Sequence, residues 1–293
     1  MIRNYIRDAY RAGLSFVYAR RKFKLLLKQS SEYTDLRLWQ LASVADFFSP
    51  AVRPVPIRAP FGDSMLVVAP HQDDEAIGCG GAVALQVRAS GAASIVILQD
   101  GADGHAELGM ERRTLSELRN QESRYAASVA GLENPCFFGF ADLEADAPLA
   151  TEQLHSILFN RRVDAVFVPF PFDAHPDHLA ANYILRDALA SIPWNVRVFG
   201  YEVWGLCIPN VIVIIDEVIN IKSKMLSCFT FANKALNYTH STKGLNMYHS
   251  RLLGAGTCEY AECFFEMPKT EYIDLIERIR LAALESQRSR RKR

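Results

Sequence analysis

Between Met65 and Phe170 the chain alternates short, mostly apolar runs with longer stretches of helical spacing. The runs at 65–69, 94–99, 136–139 and 164–169 are short and apolar at their centres, the pattern of strands covered on both faces. Helical spacing follows each of them, over 76–90, 111–130, 149–161 and 177–190. Repeated βα units predict an α/β fold: a Rossmann-like three-layer αβα arrangement, with a mainly parallel sheet and right-handed crossovers. Beyond Val196 the rhythm changes. Runs at 196–204 and 211–215 are strand-like, 217–229 is helical, and a loop bearing Tyr and Asn follows. A strand at 259–266 and a helix at 269–286 complete the chain. This part reads as extra C-terminal strands and a wall of the pocket, not a separate domain. Ahead of the core, 2–27 and 35–48 have helical spacing. The stretch 49–60 holds Pro50, Pro54, Pro56 and Pro60, an extended connector. The expected organisation is an N-terminal helical extension and connector over 1–60, a catalytic domain over 61–287 and a basic tail over 288–293.

The polar residues gather where the apolar runs stop. Met65–Ala69 ends at Pro70, and His71, Gln72, Asp73, Asp74 and Glu75 follow at once. About a hundred residues later, 165–170 runs into Asp173-Ala174-His175-Pro176-Asp177-His178. Open α/β sheets place their ligands just past the carboxyl ends of strands. If these two strands are neighbours, His71, Asp74 and His178 converge on one edge. Two imidazoles and a carboxylate, with a position left for water, is a usual way to hold catalytic zinc. A third edge loop, Asp100–His105, follows the strand at 94–99.

Composition narrows the picture only modestly. At 293 residues, 49% hydrophobic and 23% charged, the chain is ordinary for a globular protein. Its six cysteines are scattered without a C-x-x-C pair and read as reduced thiols in a cytoplasmic protein. No apolar run approaches the roughly 20 residues of a membrane span, and no secretory signal is recognisable. Net charge is zero but unevenly spread. Met1–Gln29 carries Arg3, Arg7, Arg11, Arg20, Arg21, Lys22, Lys24 and Lys28 against Asp8 alone, and 288–293 is basic. No nucleic-acid recognition motif accompanies these ends, so no nucleic acid is expected as partner. A basic amphipathic helix suits peripheral contact with the inner face of a membrane. It equally suits a contact between copies of the chain in a homo-oligomer.

Pro70-His71-Gln72-Asp73-Asp74-Glu75 closely resembles the Ala-His-Pro-Asp-Asp-Glu signature of the LmbE-like (PIG-L) zinc-dependent N-acetylglucosamine deacetylases. His175-Pro176-Asp177-His178 resembles their second signature. The resemblance covers about 62–267. It implies Zn2+, or another divalent metal, held by His71, Asp74 and His178. It also implies Asp73 as general base, His175 assisting the oxyanion or leaving group, and Asp177 orienting His175. With a carboxylate beside it, His175 is expected to favour its charged form. Gln72 stands where the family has Pro, which is expected to loosen the turn. Asp173 stands where some relatives carry a Tyr that helps the oxyanion, so another donor is required.

The activity implied is removal of acetyl from an N-acetylated amino sugar, free, nucleotide-linked or lipid-linked. The alternatives are an amidase acting on another amide, such as a thiol-sugar conjugate, and a non-catalytic sugar-binding or membrane-associated protein on the same scaffold. Arg119, Asp103 and His105 are candidate substrate contacts, with an Arg119–Glu122 surface pair as the plainer reading for Arg119. Either His240 or His249 is expected at the pocket rim, near Tyr238 and Tyr248. Glu75 is expected to bond backbone at the helix start or to position His71, Glu262 to support the site from behind its ligands or to pair with Lys222 or Lys224, and Cys79 to belong to the core.

Overall fold

The structure, a computed structural model, describes residues 54–291 apart from 174 and 208. The two N-terminal helices expected over 2–27 and 35–48 lie outside the described residues. Among the described residues eight strands form one sheet: β1 (Val55–Ile57), β2 (Ser64–Ala69), β3 (Ala92–Gln99), β4 (Cys136–Phe140), β5 (Ala165–Pro169), β6 (Arg197–Tyr201), β7 (Val211–Ile214) and β8 (Ala261–Pro268). Their order is β1-β7-β8-β6-β5-β2-β3-β4. All neighbours run parallel except β8, which is antiparallel to β6 and β7.

The alternation along β2 explains the layers. Met65, Val67 and Ala69 point to one face and pack with Ala76–Ala84, Ala126, Ala127, Met225 and Leu226. Leu66 and Val68 point to the other and pack with Leu154, Leu158, Ile184, Leu185, Tyr272 and Ile276. The first set belongs to α1 (Asp74–Arg88), α2 (Arg112–Val129) and α5 (Ile219–Cys228). The second belongs to α3 (Ala147–Asn160), α4 (Pro176–Leu189) and α8 (Lys269–Arg291). Helices thus cover both faces, as the buried strands require.

Two findings depart from the expected elements. Val55–Ile57, inside the proline-rich connector, is a strand paired with β7. The stretch expected as a loop after α5 is helical, forming α6 (Thr230–Ala235) and α7 (Tyr238–Ser250).

The connections decide where a site can open. The chain leaves β2 through α1 and α2 on one face towards β3 and β4. It returns through α3 on the other face to β5, which pairs with the opposite side of β2, and α4 continues on that face to β6. The strand order therefore reverses between β2 and β5, the switch point at which such sheets leave a crevice. Register pairs Met65 with Ala165 and Val67 with Phe167, so the two strands end abreast.

Candidate metal and catalytic site

Past Ala69 the chain turns sharply into α1. Asp73 sits at φ 118°, ψ −28°, a region that a non-glycine residue rarely occupies. Such a conformation costs of order 1–3 kcal/mol and persists only where the surroundings impose it. Here Glu75, buried in α1, accepts a bond from Asp73 N at 3.0 Å and from Ser123 Oγ at 2.8 Å. Below, Gly78 lets α1 lie on β6, since a Cβ there would stand 2.0 Å from the Tyr201 ring.

The side chains of the two strand-end loops meet. Asp74 Oδ2 lies 3.1 Å from His71 Nδ1 and 3.4 Å from His178 Nε2. His71 Nε2 lies 3.1 Å from Asp177 Oδ2, and His178 Nδ1 lies 3.3 Å from Asp173 Oδ1. Among the described residues, His71, His175 and His178 also offer one nitrogen each within 4.8 Å of one another, a group that could hold a metal ion. Both nitrogens of His178 are buried and neither contact reaches hydrogen-bond geometry, so this imidazole lacks a satisfied partner. Donor atoms about 2.0–2.1 Å from a shared tetrahedral ion stand about 3.3 Å apart. The spacing around Asp74 Oδ2 matches that edge, and the orphaned nitrogen points the same way. The donor set fits a divalent ion.

Crowding shifts every group. Burial alone would lower the His71 and His178 pKa values, but the facing carboxylates overcome it and raise them to about 9 and about 10. Burial would raise Asp74, yet His178 and His71 hold it well below the usual carboxylate range. Asp73 goes the other way. Burial, opposed by Arg119 and reinforced by Asp74, pushes it up to about 7, and burial pushes Glu75 up to about 8. Asp177 is lowered, chiefly by its bond to His71.

His175 contradicts the expectation of a charged imidazole. Its pKa is lowered, by burial first and then by the charges of His71 and His178, which together outweigh Asp177. Asp177 lies nearer His71, at 3.1 Å, than His175, at 3.5 Å. The Asp177 backbone N–H instead donates to His175 Nδ1 at 3.3 Å. That bond assigns the neutral tautomer: Nδ1 accepts, so Nε2 carries the proton.

Gln72 does not loosen the turn. Its Nε2 donates to Asn120 Oδ1 at 2.8 Å and to the Asp100 carbonyl at 3.2 Å, clasping the β3 loop to α2. Asp173 is turned away from the cavity and buried. It accepts N–H bonds from His175, Trp204 and Gly205 while facing His178. Arg119 is not paired with Glu122. Its guanidinium donates to the Gln72 and Gly101 carbonyls and lies 3.6 Å from Asp73 Oδ2. Glu122 instead bonds Thr230 Oγ1 and Phe231 N.

A cavity of about 270 Å³ opens over this cluster, lined on one side by His71, Asp73, Asp74, His175, Asp177 and Arg119. Asp103 also lines it, beside Arg112 at 3.4 Å. His105 does not; its Nδ1 turns to the Ala102 carbonyl at 3.1 Å. His249 is buried against Glu202 at 2.7 Å and is no rim residue, and His240 is likewise outside the lining. Trp204, Phe231 and Tyr238 form the facing wall. Sequence reasoning missed the first two, and placed Tyr238 only near a rim. Glu75, Glu262 and Cys79 behave as expected: Glu262 meets Lys222 at 2.6 Å, and Cys79 is buried in the core.

Residues 66–189 match the profile of the GlcNAc-PI de-N-acetylase (PIG-L) family. Diacetylchitobiose deacetylase of Thermococcus kodakarensis is 27% identical over 142 residues, 46% of this chain and 52% of that protein. The probable N-acetyl-alpha-D-glucosaminyl L-malate deacetylase 2 of Bacillus anthracis is 27% identical over 147 residues, 47% of this chain and 65% of that protein. The matches thus span from half to two thirds of these relatives. Among solved structures, N,N′-diacetylchitobiose deacetylase from Pyrococcus horikoshii superposes with TM-score 0.61 at 22% identity, covering 72% of this chain and 85% of that one. GalB, a 4-carboxy-2-hydroxymuconate hydratase from Pseudomonas putida KT2440, does so with TM-score 0.60 at 21%, covering 70% and 96%. Neighbours this distant establish the fold, and the fold alone does not choose the reaction. Over residues 66–189 the chain is thus similar to the PIG-L (LmbE-like) family, and the two curated relatives named above are deacetylases.

Proposed function

We propose that this protein hydrolyses the acetamide of an N-acetylated amino sugar, releasing acetate and a free amine, with His71, Asp74 and His178 holding Zn2+ or a similar divalent ion. The observation that carries the reading is the buried His178 Nε2, left without a hydrogen bond 3.4 Å from Asp74 Oδ2. Such an orphan is costly unless a ligand completes it. On its far side, His178 Nδ1 faces the buried Asp173, the carboxylate backing that fixes a ligating imidazole. When bound, the ion supplies Lewis acidity and brings the pKa of water to about 7.

The chain's own groups do the rest. Asp73, raised to about 7, is poised both to take a proton from water and to return it to the departing amine. Arg119 beside it keeps the carboxylate oriented. His175 presents Nε2–H to the cavity as a neutral donor, and one such donor to a developing oxyanion is worth about 3–4 kcal/mol. That role needs no imidazolium. The lowered pKa of His175 is therefore compatible with catalysis at neutral pH.

The test is acetate release from a panel of N-acetylhexosaminides, with metal content measured on the same sample. Asp73→Asn is expected to keep the metal and lose about two to four orders of magnitude in kcat. Near-normal turnover in that variant at full metal content contradicts the assignment of Asp73. Absence of acetate from every sugar contradicts the reaction.

A further inference from the structure

The cavity has two unlike walls. The reactive wall comes from the loops after β2, β3 and β5 and from α2, within 66–189. The facing wall comes from Val203, Trp204, Phe231, Ala232 and Tyr238, outside the matched segment. Among the described residues it contains every Phe, Trp and Tyr that lines the cavity. Trp204 is 56% exposed, a large apolar surface to leave in water beside a polar cluster. Its ring meets that of Tyr238 edge-on, with centroids 6.1 Å apart and planes at 81°.

Trp204 is also tied to the reactive wall. Its backbone N–H, and that of Gly205, donate at 2.9 Å to Asp173 Oδ2, whose other oxygen lies 3.3 Å from His178 Nδ1. One buried carboxylate therefore sets the position of the indole segment against the imidazole. Phe231 is fixed similarly: Glu122 accepts its N–H, and the Arg119 guanidinium lies 5.7 Å over its ring. Aromatic rings lining the space beside this polar cluster, one of them largely exposed, suit a flat, partly apolar ligand. The C–H face of a pyranose is such a ligand. At about 270 Å³ the space falls just below the roughly 300–1,000 Å³ of drug-sized pockets, so it takes one ring and leaves any second unit outside.

Taking the amino-sugar reading above as given, we infer that Trp204, buttressed by Tyr238, is the platform on which the apolar face of a single N-acetylhexosamine ring stacks, and that it selects cyclic over acyclic acetamides. Trp204 then acts in ground-state and transition-state binding alike, so its loss falls on KM more than on kcat.

The experiment compares the wild type with Trp204→Ala and Trp204→Phe. Acetate release is measured from methyl N-acetylglucosaminide and from acyclic N-acetylethanolamine. Tryptophan fluorescence is titrated in parallel with methyl glucosaminide, the product. Trp204→Ala is expected to raise KM for the glycoside about ten-fold with kcat little changed, and to leave the acyclic amide nearly unaffected. Trp204→Phe should recover most of the loss. Product should quench the wild type but not Trp204→Phe. Equal losses on both substrates, an unchanged KM in Trp204→Ala, or no product-dependent quenching in the wild type overturns the platform. Quenching that depends on Trp204, without acetate release from either substrate, keeps the platform and overturns the deacetylase reading. Should Trp204→Ala fail to fold, Tyr238→Leu, which removes the buttress, must raise KM for the glycoside selectively, and a uniform loss overturns the inference.

Discussion

Lys222 and Glu262 meet at 2.6 Å inside the core, and Asp74 faces His178 at 3.4 Å less than three turns away along α1. Both are buried ionic clusters, and they are satisfied to opposite degrees. Glu262 accepts from Lys222 Nζ and from the backbone of Gly81 and Ala82, while Lys222 also donates to the Ile77 carbonyl. Every charge there is answered by protein. At the other cluster, His178 has two buried nitrogens without hydrogen bonds, three imidazoles crowd within 4.8 Å, and Asp73 is held at a positive φ. A buried pair that is fully bonded clamps α1 to α5 and β8. One left unfinished, beside strained backbone, waits for something the protein does not itself supply. The satisfaction of the partners, not the burial of charge, separates brace from site.

The sharpest way to break this contrast is to remove one member of the unfinished cluster. His178→Ala should abolish acetate release and most of the bound metal, because a ligand is lost and Asp74 is left facing a gap. Elemental analysis that returns full occupancy places the metal elsewhere. The braced cluster should respond in stability instead. Lys222→Met leaves Glu262 buried and uncompensated, which costs about 3–5 kcal/mol. Pairing it with Glu262→Gln should restore part of that, and metal affinity should hardly move. Urea unfolding and a metal titration on the same variants check both halves. A fall in metal affinity as large as the fall in stability would erase the distinction.

The smallest effect concerns pH. His71 and His178 are raised from 6.5 to about 9 and about 10, so in a chelator they stabilise the fold fully below about pH 6.5, and that contribution is lost as pH rises towards 10. Asp73 and Glu75 add in the same direction: their raised values mean that ionising them in the fold grows costly up to pH about 7 and 8. A metal must displace the imidazole protons, so its stabilisation should grow over the same window. Thermal midpoints with EDTA and with Zn2+ at pH 6.5 and 9 should therefore diverge. A constant difference between them means that the imidazoles are not the ligands.

The strands and the two motif loops were legible in the sequence for one physical reason. A strand buried on both faces must be apolar throughout, and an abrupt run of His and Asp after it cannot stay in the core. The helix α7 was not legible, because it buries Thr242, Asn246 and His249 and carries no apolar stripe for periodicity to reveal. His249 was mistaken for a rim residue for the same reason: its partner Glu202 lies 47 residues away in sequence. Gln72 was misjudged because it finds its partners across the sheet edge, on α2 and in the loop after β3.

By itself the sequence determined that an α/β sheet would form, and that His71, Asp73, Asp74, His175, Asp177 and His178 would stand at strand ends. Those outcomes follow from local hydrophobic pattern and from the cost of burying ionisable groups. Tertiary structure alone decided which carboxylate faces which imidazole, that His175 is held neutral, and that an aromatic wall closes the cavity. Charge coupling and ring packing depend on distances of a few ångströms between segments far apart in the chain, and no local pattern encodes those.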